Sequence, residues 1–147
     1  MAEVRPAAAA DRPRVEEIVQ AAYAPWAEII GTRPMPMDDD YAALIGAGHV
    51  FVTGPGPDGL IVLIPEDGVL LVDNVAVHPE LHGTGIGGRL LAFAEARARA
   101  LGLTRLRLIT NERMTGNIDR YQRLGYRETG REVLKGRNVV HMAKPLA

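Results

Sequence analysis

The chain of 147 residues contains no cysteine, and reading along it finds no serine. The first absence excludes disulfides, zinc–thiolate sites and thiol nucleophiles. The second excludes a Ser-His-Asp hydrolase and a seryl intermediate. Thr, Lys, Tyr and carboxylates remain, all weaker candidates for covalent catalysis. If such a chain moves an acyl group, direct transfer to a bound acceptor is the natural route. An excess of one charge sign is missing too. The formal net charge is -1, which gives no support for a nucleic-acid partner. Long apolar runs are absent, so no membrane span is expected. Residues 1–6 lack an apolar stretch after a basic segment, so no signal peptide is expected and the cytoplasm is the expected location.

What is present is the patterning of one mixed α/β domain over residues 1–147, with strands and helices interleaved and no internal repeat. Glu3–Arg5 reads as a short strand. Asp11 and Pro13 open a helix carrying Val15, Ile18, Val19 and Ala22 at helical spacing. Tyr23 to Met37 reads as irregular, broken at Pro25, Pro34 and Pro36, and Asp38-Asp39-Asp40 precedes a helix start at Tyr41. His49–Thr53, Leu60–Ile64 and Val69–Val77 read as an antiparallel meander, with turns at Gly54–Gly59 and Pro65–Gly68. The clearest helix runs from Gly85 to Leu101, with Ile86, Leu90, Phe93, Ala94, Ala98 and Leu101 on one face. A strand at Leu106–Thr110, a helix at Met114–Leu124 and a final hairpin around Lys135–Asn138 complete the order.

The densest signal is Gly83-Thr84-Gly85-Ile86-Gly87-Gly88, between the Val69–Val77 strand and the long helix. Glycines let a ligand approach the backbone closely. The first N–H groups of a helix lack internal partners and stand at its positive end. The segment therefore suits phosphate or pyrophosphate. A Walker A loop is excluded because Arg89-Leu90 follows Gly88 where Lys-Ser/Thr is needed. A dinucleotide fingerprint is matched formally by Gly83, Gly85 and Gly88. However, His78–His82 separates it from its strand, and a meander rather than a βαβ unit precedes it.

His82-Gly83-Thr84-Gly85-Ile86-Gly87 resembles the acyl-CoA loop of the GCN5-related N-acetyltransferase (GNAT) superfamily, Gln/Arg-x-x-Gly-x-Gly/Ala, with His82 in place of Gln or Arg. Tyr121-Gln122-Arg123-Leu124-Gly125-Tyr126 resembles the later Tyr-x-x-x-Gly-Phe/Tyr signature of the same superfamily. The match runs from Val69 to Tyr126. It implies a mostly antiparallel central sheet, splayed in the middle, with helices on both faces.

The resemblance also implies acetyl-CoA as cosubstrate, with no metal. The backbone of Val75, Ala76 and Val77 would bind the pantetheine arm. His82, Gly83, Thr84, Gly85, Ile86, Gly87 and Gly88 would hold the pyrophosphate, with Asn117 one helical turn before Tyr121 as a further CoA contact. Tyr121 matches the usual proton donor to the departing thiolate. Its other reading is an aromatic closing the helix, and Tyr126 reads as core. No acid lies in Leu106–Thr110, so Asp73 is the candidate base, acting directly or through water. Its other reading is a strand acid facing solvent or paired with Arg. Asn74 has the opposite strand parity, so only one of the two should face the acceptor. Arg120 and Arg123 read as exposed helix arginines or as contacts to the 3′-phosphate.

His78 and His82 are four apart, but Pro79 excludes the metalloprotease helix motif. Tyr23, Trp26, Pro34, Met35, Met37 and Tyr41 would line a pocket for a small amine, pack in the core or meet a second copy in a homodimer. The expected activity is transfer of an acetyl group to a primary amine of a small molecule, amino acid or peptide by direct attack in a ternary complex. The alternative is a catalytically silent acyl-CoA-binding regulatory module.

Overall fold

The computed structural model describes residues 3–146, so the leader expectation concerns in part Met1 and Ala2, outside the described residues. Seven strands form one sheet: β1 (Val4–Pro6), β2 (Val50–Thr53), β3 (Gly59–Glu66), β4 (Val69–Val77), β5 (Arg105–Asn111), β6 (Arg127–Leu134) and β7 (Arg137–Pro145). Their order is β1-β2-β3-β4-β5-β7-β6, antiparallel except for the β4–β5 pair. Four α-helices accompany them: α1 (Arg12–Ile30), α2 (Tyr41–Gly46), α3 (Ile86–Ala100) and α4 (Thr115–Arg123). No helix among them is long and apolar enough to cross a membrane.

The alternation of side chains along the strands divides the core into two layers. One face of the sheet packs Ile61, Leu63, Leu70, Val72 and Leu106 against Leu90, Leu91 and Ala94 of α3 and Ile118 of α4. The other packs Leu60, Val62 and Ala76 against Val15, Ile18 and Val19 of α1 and Tyr41 and Ile45 of α2. The mixed α/β expectation, with helices on both faces of a mostly antiparallel sheet, is borne out.

Several local readings change. Helix α1 runs through Pro25 instead of breaking there, and ends at Gly31 with φ +84°. Pro25 is exposed on α1, and its missing N–H removes one helix hydrogen bond without ending the helix. Strand β3 continues through Pro65 and Glu66, leaving only Asp67-Gly68 as the turn. The last hairpin turns at Lys135-Gly136, so Arg137 and Asn138 are strand residues. Leu91, not Leu101, belongs to the buried face of α3; Leu101 is 41% exposed.

The feature that positions the site lies in β4. Its register against β3 steps between Val62↔Asn74 and Leu63↔Val72, so Asp73 is an extra residue, a β-bulge. The parallel pairing of β4 with β5 ends at the same place, at Val72↔Leu108. Beyond it β4 continues against β3 to Val77, while β5 continues against β7 to Asn111. A bulge bends its strand and raises the local twist, and here the sheet opens in the middle.

Candidate active site

The bulge changes which face each residue of β4 presents. Leu70 and Val72 belong to the α3 layer, yet Ala76, of the same parity, belongs to the α1 layer. Asn74 likewise turns toward α1 and α2. The Tyr23 hydroxyl donates to its Oδ1 at 2.5 Å, its Nδ2 donates to the Tyr41 hydroxyl at 3.0 Å, and Tyr41 donates to the Pro36 carbonyl at 2.5 Å. Asn74 is 4% exposed and Tyr41 2%, so each of these polar groups depends on the others for satisfaction. The strict alternation expected for Asp73 and Asn74 fails, because the extra residue lets both line one cavity.

Two compartments occupy the opened sheet. A groove of about 640 Å³ lies between the end of β4, the loop Leu81–Gly87 and α4. A narrower hollow of about 60 Å³ lies between Asp73 and Asn74 of β4, Leu108–Asn111 of β5, Pro34–Pro36, and Arg137 and Val139 of β7. Five residues line both: Tyr23, Val75, Met114, Asn117 and Tyr121.

In the groove, Val75, Ala76, Val77, His82, Gly83, Gly85, Ile86, Gly87, Asn117 and Tyr121 come together as the sequence predicts, whereas Thr84 and Gly88 do not line it. The Thr84 hydroxyl donates instead to the Leu81 carbonyl at 2.6 Å, tightening the turn before α3. Gly85, at φ +86°, caps the N-terminus of α3 in the left-handed conformation that favours glycine. At Gly87 a side chain from α4 comes close: Arg120 Nη2 lies 2.6 Å from where a Cβ would stand. The Arg120 guanidinium therefore lies over the first turn of α3, adding a cation to the orphan N–H groups of the helix start.

The Tyr23 hydroxyl also lies 3.3 Å from the Val75 carbonyl, and His82 Nε2 donates to the Val77 carbonyl at 3.1 Å. That bond needs a hydrogen on Nε2 and ties the His82 ring to β4. It also shows that the carbonyls of Val75 and Val77 face the opened gap. In an antiparallel ladder the N–H of a residue points to the same side as its carbonyl, so this edge presents both donors and acceptors.

Tyr121 stands where the two compartments meet, 9% exposed and packed edge-on to Tyr126 at 5.7 Å between ring centroids. Among the described residues its hydroxyl has no hydrogen-bond partner. Burial raises its pKa and the nearby Arg120 partly opposes that rise, so it keeps its proton at neutral pH. Tyr126 is 2% exposed and belongs to the core, as expected.

Asp73 lines the hollow, and its side chain lies within hydrogen-bonding reach of Asp39, a residue of the Asp38–Asp40 run that the sequence reads as a helix cap or a site for a cationic acceptor. Burial raises the pKa of Asp39 to about 6, reinforced by the Asp73 charge and the shared hydrogen bond, with Lys135 opposing and Asp38 adding. Burial also raises Asp73, against the Asp39 hydrogen bond and the Arg107 charge. Two carboxyls so placed oppose each other's ionisation. Asp40, its neighbour, does cap α2, accepting from Ala43 N–H at 3.0 Å. Nothing local in the sequence distinguishes Asp39 from Asp38 or Asp40; the pairing spans 34 positions and depends on the bulge.

A sheet opened at a bulge, a glycine-rich helix start and a buried tyrosine at the junction are the features of an acyl-CoA acyltransferase. The profile of the acetyltransferase (GNAT) family matches residues 14–126, and the chain belongs to that family. Acetyl-CoA is the donor that family uses. The fold resembles that of PaiA N-acetyltransferase from Thermoplasma acidophilum, solved in complex with coenzyme A (17% identity, 99% of each chain, TM-score 0.80). It also resembles the ribosomal-protein-S18-alanine N-acetyltransferase of Escherichia coli (18% identity, 100% of this chain and 95% of that one, TM-score 0.80). An amino-acid acetyltransferase of Ralstonia nicotianae is 50% identical over 46 residues, which are 31% of this chain and 10% of that relative.

Proposed function

We propose that the chain, acting as one catalytic domain, transfers the acetyl group of acetyl-CoA to the primary amine of a small molecule, amino acid or peptide. The observation that carries this reading is the junction: the Tyr121 hydroxyl, without a hydrogen-bond partner among the described residues, between a groove with a glycine-rich helix start and a hollow lined by Asp73. The short stretch shared with an amino-acid acetyltransferase keeps an amino acid among the acceptors.

The groove suits the donor at three points along its length. The backbone edge of Val75 and Val77 can pair with the amides of an extended arm, as one more strand would. The α3 start, with Gly83, Gly85 and Gly87, suits pyrophosphate. Arg120 brings a further cation for phosphate. Acetyl-CoA supplies the activated acyl carbon as a thioester; this chain's residues manage protons and position. An amine enters as its ammonium, and Asp73, with Asp39 beside it, accepts the proton that must leave before the nitrogen is nucleophilic. As the carbon–sulfur bond breaks, Tyr121 is placed to donate its proton to the departing sulfur.

The test is acetyl-CoA turnover over an amine panel, read as free thiol release. The chain has no cysteine, so a thiol reagent detects only the released CoA. Tyr121→Phe should lower kcat by about 100-fold or more, the usual contribution of a placed proton donor, with donor affinity little changed. Unchanged turnover would remove Tyr121 from the chemistry. Saturable donor binding with no thiol release for any amine would favour the silent binding module.

A further inference from the structure

We propose that the acceptor carries a carboxylate as well as an amine, and that Arg137 binds that carboxylate across the opened sheet from Asp73. The inference rests on the acetyl-transfer reading and narrows its substrate to amino-acid-like zwitterions. Of the residues lining the hollow, only Asp73 and Arg137 are charged. They come from opposite sides of the opening. Asp73 is on β4, and Arg137 begins β7, beyond β5. A cavity with one anion and one cation complements a molecule with one of each.

Arg137 is held ready for this. Its Nε and Nη2 donate to the Arg33 carbonyl at 2.8 and 2.6 Å, and its Nη1 donates to the Lys135 carbonyl at 3.1 Å. All three bonds go to neutral backbone oxygens, and among the described residues no carboxylate pairs with it. Arg33 itself pairs with Asp38 at 2.9 Å. A guanidinium has five N–H donors, so one remains on each terminal nitrogen, the pair that grips a carboxylate in bidentate fashion. The half-buried charge is thus left without a counter-ion in a fixed orientation, so little ordering is needed on binding. Asp73, on the far side of the opening, is left to receive the ammonium.

The test compares amino acids with their decarboxylated amines, each supplied with acetyl-CoA to the intact protein. The wild type should favour the carboxylated member by about 10- to 100-fold in kcat/KM, the usual effect of a charge-assisted contact. Arg137→Gln should collapse that ratio toward unity, chiefly through KM. Arg137→Lys, which keeps charge but not the fork, should recover only part of it. Equal wild-type turnover of both members would overturn this inference alone and leave acetyl transfer standing. Thiol release with neither member would overturn both. The wild-type ratio decides the matter even if a variant fails to fold.

Discussion

Asp39 shows how one side chain can couple stability to pH. Its pKa in the fold is about 6, against an ordinary aspartate value of 3.8. A carboxyl whose pKa rises on folding is stabilising while protonated. That contribution is full below about 3.8 and is lost as the pH rises through about 6. Asp39→Asn removes the ionisation and can still hydrogen-bond to Asp73. The variant should gain in Tm over the wild type between pH 5 and pH 7, with little difference at pH 4. A constant difference across that range would show that the Asp39 pKa is not raised on folding. The same substitution should leave the acid limb of the kcat/KM–pH profile in place, because an amide can still donate the hydrogen bond that lowers the Asp73 pKa. The groups acting on the pair are Lys135 and Asp38 on the Asp39 side, and Arg107 and Glu66 on the Asp73 side. Arg107 and Glu66 are themselves joined at 2.6 and 2.8 Å, so they act largely as a neutral unit.

At the scale of elements, the bulge in β4 and the hydroxyl network of Asn74 form one device. The bulge turns Asn74 toward the α1 layer, and Asn74 then fastens Tyr23 of α1 and Tyr41 of α2 to the sheet. Through Tyr41 the network reaches Pro36, which lines the hollow. Asn74→Ala would leave two buried hydroxyls short of a partner and should cost about 1–3 kcal/mol for each group left unsatisfied, read as a lower denaturant midpoint. It should also raise the acceptor KM more than the donor KM, since Pro36 lines only the hollow; an equal rise in both would detach the network from the acceptor wall. The glycine loop, α3 and the Tyr121–Tyr126 segment were legible in the sequence because each signal sits within a few consecutive residues. The bulge was not, since Asp73-Asn74 interrupts a Val- and Leu-rich run without marking which residue is extra, and that extra place exists only relative to β3. Arg137 was obscured for a related reason: the hairpin turns two residues earlier than its Gly-containing tetrapeptide implies.

At the scale of the whole molecule, the N-terminal and C-terminal halves meet around the opening. Arg113 donates to the Ile29 carbonyl at 3.1 Å, and Arg137 holds the Arg33 carbonyl, so the end of α1 and the segment after it are tied to residues more than 80 positions away. The lining of the groove was legible in the sequence, because a glycine-rich helix start is a local property. The sequence said little of the acceptor half, which is assembled from α1, the proline-rich connection, β4 and β7 and takes its character only from their meeting.

The waist formed by Tyr23, Val75, Met114, Asn117 and Tyr121 has a consequence for traffic through the protein. The groove and the hollow meet there, but each has its own lining beyond it. Neither guest has to vacate before the other arrives. Initial-rate lines drawn in reciprocal form at several fixed concentrations of one reactant should therefore converge to a point. Parallel lines would mean that the acetyl group is parked on the protein between visits, and a chain with neither serine nor cysteine is poorly equipped to keep it there.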